Sequence, residues 1–325
     1  MTVVVVDSYG AFVGKSGDRF VIKSNGETKE FASEDVEQIL VSSAATVSSD
    51  AVFLAAEKNV DIAYLDYRGI PVARVFPCKL GGTTKTRRAQ LEAGFDGRSL
   101  AFCRAIVEAK VRNQAALLKS LSKGRGDDFF AGVAEQMEKG LDTLNIGGKK
   151  SREDALGVFL GVEGNAASEY FEALSKVLPF ERRETDAKDA VNALLNYGYG
   201  VLRNEVERSC LLAGLDPFLG FFHADRYGKP SMVLDLMEPF RAPVVDRALV
   251  TLAARKQFSD ELVCTGSEGC LLSDVGRKVW LEKVLERLNS NYGDRAFKDH
   301  VLRQSRELVQ WLLGGRKSFE AFAYR

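Results

Sequence analysis

Histidine is nearly absent from this chain. Its 325 residues hold only two, His223 and His300. Cysteine is scarce and odd in number, with five: Cys78, Cys103, Cys210, Cys264 and Cys270. None forms a Cys-x-x-Cys pair, and Cys264 and Cys270 have no partner pair at zinc-finger spacing. These shortages exclude a structural zinc site and a disulfide framework. They make a reducing, cytoplasmic setting the expected one. Apolar runs such as Val3–Val6 and Ala248–Ala254 fall far short of the ~20 residues that span a bilayer. No charged and then apolar opening of a signal peptide precedes the first strand-like run, Thr2–Val6.

Net charge is also lacking, because 45 Lys and Arg balance 45 Asp and Glu. The balance is global and not local. Residues 1–76 hold seven basic and eleven acidic residues, whereas residues 79–125 hold eleven basic and three acidic. That asymmetry suggests an anionic partner for the second region, unless acidic neighbours fold against it.

The chain's organisation changes near residue 80. Thr2–Val6, Ala11–Val13, Phe20–Lys23, Val36–Val41, Ile62–Leu65 and Ile70–Phe76 read as strands, separated by turns such as Ser24-Asn25-Gly26. Ser49-Asp50 can start a short helix through Lys58. Pro77, Gly81 and Gly82 mark a boundary. Helical patterns follow over Leu100–Leu121, Ala166–Leu178, Asp189–Leu212 stopped by Gly214, Ser231–Phe240, Val244–Ala254, Ser273–Leu288 and Ala296–Leu313. The expected fold is therefore α+β: a small β-rich domain, 1–80, followed by a larger all-α domain, 81–325.

Three segments of the helical part carry residues suited to chemistry. In Gly161-Val162-Glu163-Gly164, Glu163 heads an apolar face that continues through Ala167, Tyr170, Phe171 and Leu174. A carboxylate there needs a partner or a helix N-terminus to offset its cost. His223 ends the aromatic stretch Phe218-Leu219-Gly220-Phe221-Phe222. In Leu234-Asp235-Leu236-Met237-Glu238-Pro239-Phe240-Arg241, Asp235 and Glu238 share a helical face, with Arg241 placed to offset their repulsion. Pro239 should kink this helix and free the Asp235 carbonyl. Two carboxylates, one imidazole and a spare Asp suit Mg²⁺ or Mn²⁺ better than a closed zinc site. Such a metal beside a basic stretch fits phosphodiester chemistry.

Those segments resemble, in order, the three signatures of CRISPR-associated protein one, the spacer-acquisition integrase family. Gly161–Gly164 with Ala167, Tyr170 and Phe171 resembles the first, and Leu215-Asp216-Pro217 with Gly220, Phe221 and His223 the second. Gly228–Ser231 with Leu234–Glu238, Phe240-Arg241 and Val245-Asp246-Arg247 resembles the third. Asn192–Tyr199 looks like the family's long central helix, and Lys110, Asn113 and Gln114 look like its earlier one. The resemblance covers nearly the whole chain. It departs at Pro239, where family members often carry an acidic or polar residue.

The resemblance implies a metal-dependent DNA endonuclease and integrase of CRISPR antiviral defence. In that family the 3′-hydroxyl of a foreign fragment attacks a phosphodiester at an array repeat. It implies Glu163, His223 and Glu238 as the catalytic metal ligands for Mg²⁺ or Mn²⁺, with Asp235 in support. It also implies a homodimer formed through the β domain, with DNA and CRISPR-associated protein two as partners and no membrane. Arg226, Lys229, Arg241, Tyr199 and Arg203 are the expected DNA contacts, joined by a basic stretch around Lys110, Arg112 and Lys119. The competing readings are a standalone nuclease for branched DNA and a non-catalytic DNA-binding scaffold.

Overall fold

In the computed structural model the strand-rich part is built as two small sheets, and the helical part is seated against one of them. The described residues are 2–77, 83–145, 151–223, 226–266 and 269–324. Cys78, Gly81 and Gly82, and with them the proposed boundary, lie outside that set, as do Ala224 and Asp225.

The first sheet has the order β1 (Thr2–Val6), β5 (Val36–Val41), β7 (Asp61–Leu65) and β8 (Pro71–Val75), with only β8 antiparallel to its neighbour. The second has the order β4 (Glu27–Ala32), β3 (Arg19–Ser24), β2 (Ala11–Ser16) and β6 (Ala45–Val47). Helix α1 (Ser49–Lys58), capped by the Ser48 side chain, links the sheets. Val13, Phe20, Ile39, Leu54 and Ile62 are buried between these layers.

The helical part runs through α2 (Thr83–Ala93), α3 (Gly97–Arg125), α4 (Asp128–Gly140), α5 (Arg152–Leu174) and α6 (Ala190–Ala213). It continues with α7 (Ser231–Met237), α8 (Arg247–Ala254), α9 (Asp274–Asn289) and α10 (Phe297–Leu312). It is not purely helical. Two short hairpins interrupt it, β9 (Val263–Gly266) with β10 (Gly269–Leu272), and β11 (Asn291–Tyr292) with β12 (Arg295–Ala296). Among the described residues, no helix is long and apolar enough to cross a membrane.

The two parts meet along α6, which is buried on nearly every side. The turn between β7 and β8 rests on it so closely that a Cβ at Gly200 would stand 2.6 Å from the Gly69 backbone. Polar groups complete the seam. Arg74 of β8 pairs with buried Asp61 and donates to the Asn204 side chain at 2.7 Å. Glu37 of β5 receives Arg208 at 3.0 Å and Lys298 at 2.5 Å. Buried Glu205 stands in this cluster, 3.6 Å from Arg208.

Burial pushes the Glu205 carboxyl up, Arg208 opposes this, and nearby Glu37 adds to it, so it reaches about 7 from 4.5. A raised carboxyl stabilises the fold while protonated. That contribution is complete below the unfolded value and is lost as pH rises through the folded one. Glu205→Gln should therefore melt above wild type at about pH 8.5, with the gain shrinking toward about pH 5. Thermal melts across that range check it, and a gain independent of pH would contradict it.

Candidate active site

Helix α5 begins well before the segment in which the sequence suggests a helix start. Ser151 caps it by accepting the Asp154 N–H, and Glu153 and Asp154 occupy its first turn. Glu163 is therefore mid-helix and does not head a dipole as expected. Burial of Phe159, Ala166 and Tyr170 carries the helix through Gly157, Gly161 and Gly164, each costing about 1 kcal/mol relative to alanine. A Cβ at Gly161 or Gly164 would meet no atom within 4 Å, so no protein backbone needs these glycines for a close approach.

The segment before α7 is tied at both ends. Gln90 of α2, fully buried, donates to the carbonyls of Asp216 at 3.0 Å and Leu219 at 2.7 Å, and accepts the Asp216 N–H at 2.9 Å. Buried Asp235 then accepts the N–H groups of Phe221 at 2.7 Å, Phe222 at 3.0 Å and His223 at 2.9 Å. Gly220 permits this wrap, since a Cβ there would fall 2.6 Å from Ser231 Cβ and 3.0 Å from the Asp235 carboxylate. Asp235 also bonds His223 Nδ1 at 2.7 Å. A carboxylate only accepts, so Nδ1 carries a proton and Asp235 directs Nε2 toward Glu238. That nitrogen lies 3.8 Å from Glu238 Oε1.

Pro239 acts as expected on the helix but not on the carbonyl. The α-helix tightens into a 3₁₀ turn over Glu238–Phe240 and then widens into a π-helical turn over Arg241–Asp246. The Asp235 carbonyl is not free, because it accepts the Glu238 N–H in the tightened turn. Asn113 of α3 donates to the Pro239 carbonyl at 2.6 Å.

Glu238 is 4% exposed and meets three positive or polarisable groups. Lys110 approaches its Oε2 at 2.6 Å, and Arg241 Nε approaches the same oxygen at 3.0 Å. Burial pushes its carboxyl up, but Arg241, Lys110 and His223 outweigh that and bring it down to about 2. The Lys110 amine also pairs with Glu163 across α3 and α5.

These groups border a cavity of about 670 Å³ whose lining includes Lys110, Gln114, Glu163, Tyr199, Arg183, Arg241 and Asp246. Asp246, buried, accepts the hydroxyls of Tyr170 at 2.8 Å and Tyr199 at 2.6 Å. Arg241 and Arg183 lie over the Tyr199 ring, 4.5 and 5.5 Å from its centre.

The structure thus gathers Glu163, Glu238, Arg241 and Tyr199 at one cavity and sets His223 and Asp235 beside Glu238. Arg226 is exposed and Lys229 partly exposed on the segment after His223. Arg203 points elsewhere, feeling the charges of Glu207 and of Asp66 in the β7–β8 turn. Within the basic stretch, acidic neighbours meet several of the charges. Arg112 pairs with Glu108 at 2.8 Å and Lys119 with Glu138 at 2.7 Å, as an ordinary solvated face does. Lys110 is not a surface charge at all. Arg183 and the role of Asp246 escaped the sequence reading, although the motif Val245-Asp246-Arg247 had marked the latter position. His300 lies in a separate aromatic cluster, where its Nε2 meets the Tyr292 carbonyl at 2.9 Å.

Two carboxylates and an imidazole nitrogen are suitable donors for a hard divalent ion. Among the described residues, no group of three or more such side chains is arranged to hold a metal as it stands. The Lys110 amine takes the position between the two carboxylates. Asp235 orients His223, so if His223 ligates a divalent ion, Asp235→Asn should weaken Mn²⁺ binding by about 10–100-fold. Its amide would set donors against the N–H groups of residues 221–223. Calorimetric titration checks this, and unchanged affinity would contradict the role.

Known proteins share this architecture. A sequence profile described as CRISPR associated protein Cas1 matches residues 4–286. The chain belongs to that family. The CRISPR-associated endonuclease Cas1 1 of Archaeoglobus fulgidus is 36% identical over 344 residues, covering 99% of each chain. A casposase solved bound to integration product superposes with a TM-score of 0.84 at 23% identity, over 98% of this chain and 93% of that one. A chain of a Cas6-RT-Cas1–Cas2 complex gives 0.80 at 18% identity, over all of this chain and 36% of that one.

Proposed function

We propose that this protein is a metal-dependent DNA endonuclease and integrase of CRISPR adaptation, with Glu163, His223 and Glu238 as metal ligands. The observation that carries the reading is Glu238. It is a buried, ionised carboxylate whose charge is met by Lys110 and Arg241, and it stands with Glu163 across the Lys110 amine and with His223 Nε2 3.8 Å away. The family membership and the names of its relatives support the same reaction class. The domain division at about residue 80 belongs to this reading.

The chain's own groups do most of the work in this mechanism. Asp235 fixes the histidine tautomer and orientation. Arg183 and Arg241 give the cavity positive charge where a phosphodiester would enter, and Tyr199 holds them in place by stacking. A bound Mg²⁺ or Mn²⁺ would neutralise phosphate charge and assist the attacking or leaving oxygen. A fragment's 3′-hydroxyl as nucleophile gives joining, and water gives cleavage. Arg226 and Lys229, on the exposed segment after His223, extend the DNA path outward.

Partners follow from the same reading. The similar casposase was solved bound to integration product, and the similar Cas6-RT-Cas1–Cas2 chain belongs to a complex with Cas2. DNA and CRISPR-associated protein two are accordingly the partners we assign. A homodimer formed through the strand-rich part belongs to the same reading. Cytoplasmic placement is consistent with Cys103, Cys210, Cys264 and Cys270 being free thiols.

A strand-transfer assay tests the proposal, combining the protein, its partner, a duplex with free 3′-hydroxyls and an array-bearing plasmid. Joining at the repeat border should require Mn²⁺ or Mg²⁺ and disappear in Glu238→Ala while DNA binding persists. Nicking without joining would instead indicate a standalone nuclease. Joint loss of binding and cleavage in the variant would leave the three ligand residues a structural role only.

A further inference from the structure

Lys110 lies in α3, one helical turn before Gln114. Its amine is shared between two elements, pairing with Glu163 of α5 and with Glu238 Oε2 at 2.6 Å. A point where one cation faces both carboxylates is also where a divalent ion held by both would stand. Amine and metal exclude one another there, by volume and by like charge. Arg241 meets the same Glu238 oxygen at 3.0 Å but is stacked on Tyr199, whereas Lys110 is the cation that pairs with Glu163 as well.

Lys110 also has somewhere to go. Its long stem turns readily and its amine carries three donors. The 670 Å³ cavity adjoins it, and Gln114 lines the same cavity. Gln114 is 4% exposed and its Oε1 has no hydrogen-bond partner. Helical side chains lean toward the N-terminus, so Gln114 leans toward the turn that bears Lys110. A buried acceptor without a donor is unfavourable unless one arrives.

We propose that Lys110 is an exchangeable resident cation. It neutralises Glu163 and Glu238 in the metal-free protein, yields its place to the divalent ion, and moves its amine to Gln114 Oε1. The inference rests on Glu163 and Glu238 being metal ligands. It makes metal loading an ion exchange. It also couples loading to phosphate attraction, since the displaced ammonium adds its charge to the cavity that holds Arg183 and Arg241.

Calorimetric titration of the full chain with Mn²⁺ tests this without DNA. Lys110→Met should bind Mn²⁺ at least about tenfold tighter than wild type. Gln114→Leu should weaken binding in the wild-type background and leave Lys110→Met unaffected. Equal or weaker binding by Lys110→Met, with wild type still binding, would overturn the exchange alone. Absence of Mn²⁺ binding in every form would overturn the ligand assignment and the exchange with it. A second measurement needs no variant: acetylation of wild-type Lys110, read by mass spectrometry, should rise severalfold at saturating Mn²⁺, because the flexible stem carries the amine out from between its two carboxylates toward the cavity. Unchanged reactivity would overturn the proposal even if Lys110→Met did not fold.

Discussion

A buried carboxylate in a helical core must be met by charge, and Glu238 imposes that requirement on everything around it. Removing one partner from a buried pair costs about 3–5 kcal/mol, so the elements that bring Lys110, Arg241 and His223 to Glu238 are held firmly. Asn113 grips the Pro239 carbonyl and also donates to the Phe322 carbonyl at 2.9 Å. Gln304 of α10 holds the Leu236 carbonyl at 2.9 Å and the Phe322 N–H at 2.8 Å. Phe322 stacks on Phe240 with ring centres 4.6 Å apart. The turn bearing Glu238 is thus clamped by α3, by α10 and by the segment after α10.

The same constraint explains the irregular backbone between α7 and α8. A regular helix through Pro239 would lack one N–H and crowd the carbonyl four residues back. The 3₁₀ turn gives that carbonyl to Glu238 instead, and the π-helical turn takes up the altered register. Asp246 then reaches two tyrosine hydroxyls, and Arg241 lies on one of their rings. Burial, the largest influence, pushes the Asp246 carboxyl up, while the tyrosine hydrogen bonds oppose it. Irregular turns of this kind are frequent at functional sites.

Much of this was legible in the sequence, for reasons visible in particular residues. Val36–Val41 and Ala190–Ala213 bury most of their side chains, so their patterns were strong. β4 was missed because Glu27–Ala32 is an exposed edge strand, polar where a central strand would be apolar. The start of α5 was misplaced because glycines look like breaks, whereas packing on α3 and α4 decides the matter. Glu163, His223, Asp235 and Glu238 could be singled out as residue types beside apolar faces. Their convergence could not, since it depends on segments far apart in the chain. Lys110 was hidden for the same reason. A lysine in a basic stretch reads as surface until the acidic residues facing it are known.

The proposed chemistry requires Glu163, His223 and Glu238 to form one divalent metal site. Diffraction from crystals grown with Mn²⁺, collected at its absorption edge, tests that most directly. The account predicts a single strong anomalous peak within coordinating distance of both carboxylates and of His223 Nε2. A peak elsewhere, or none at a concentration that saturates the protein in solution, would contradict it.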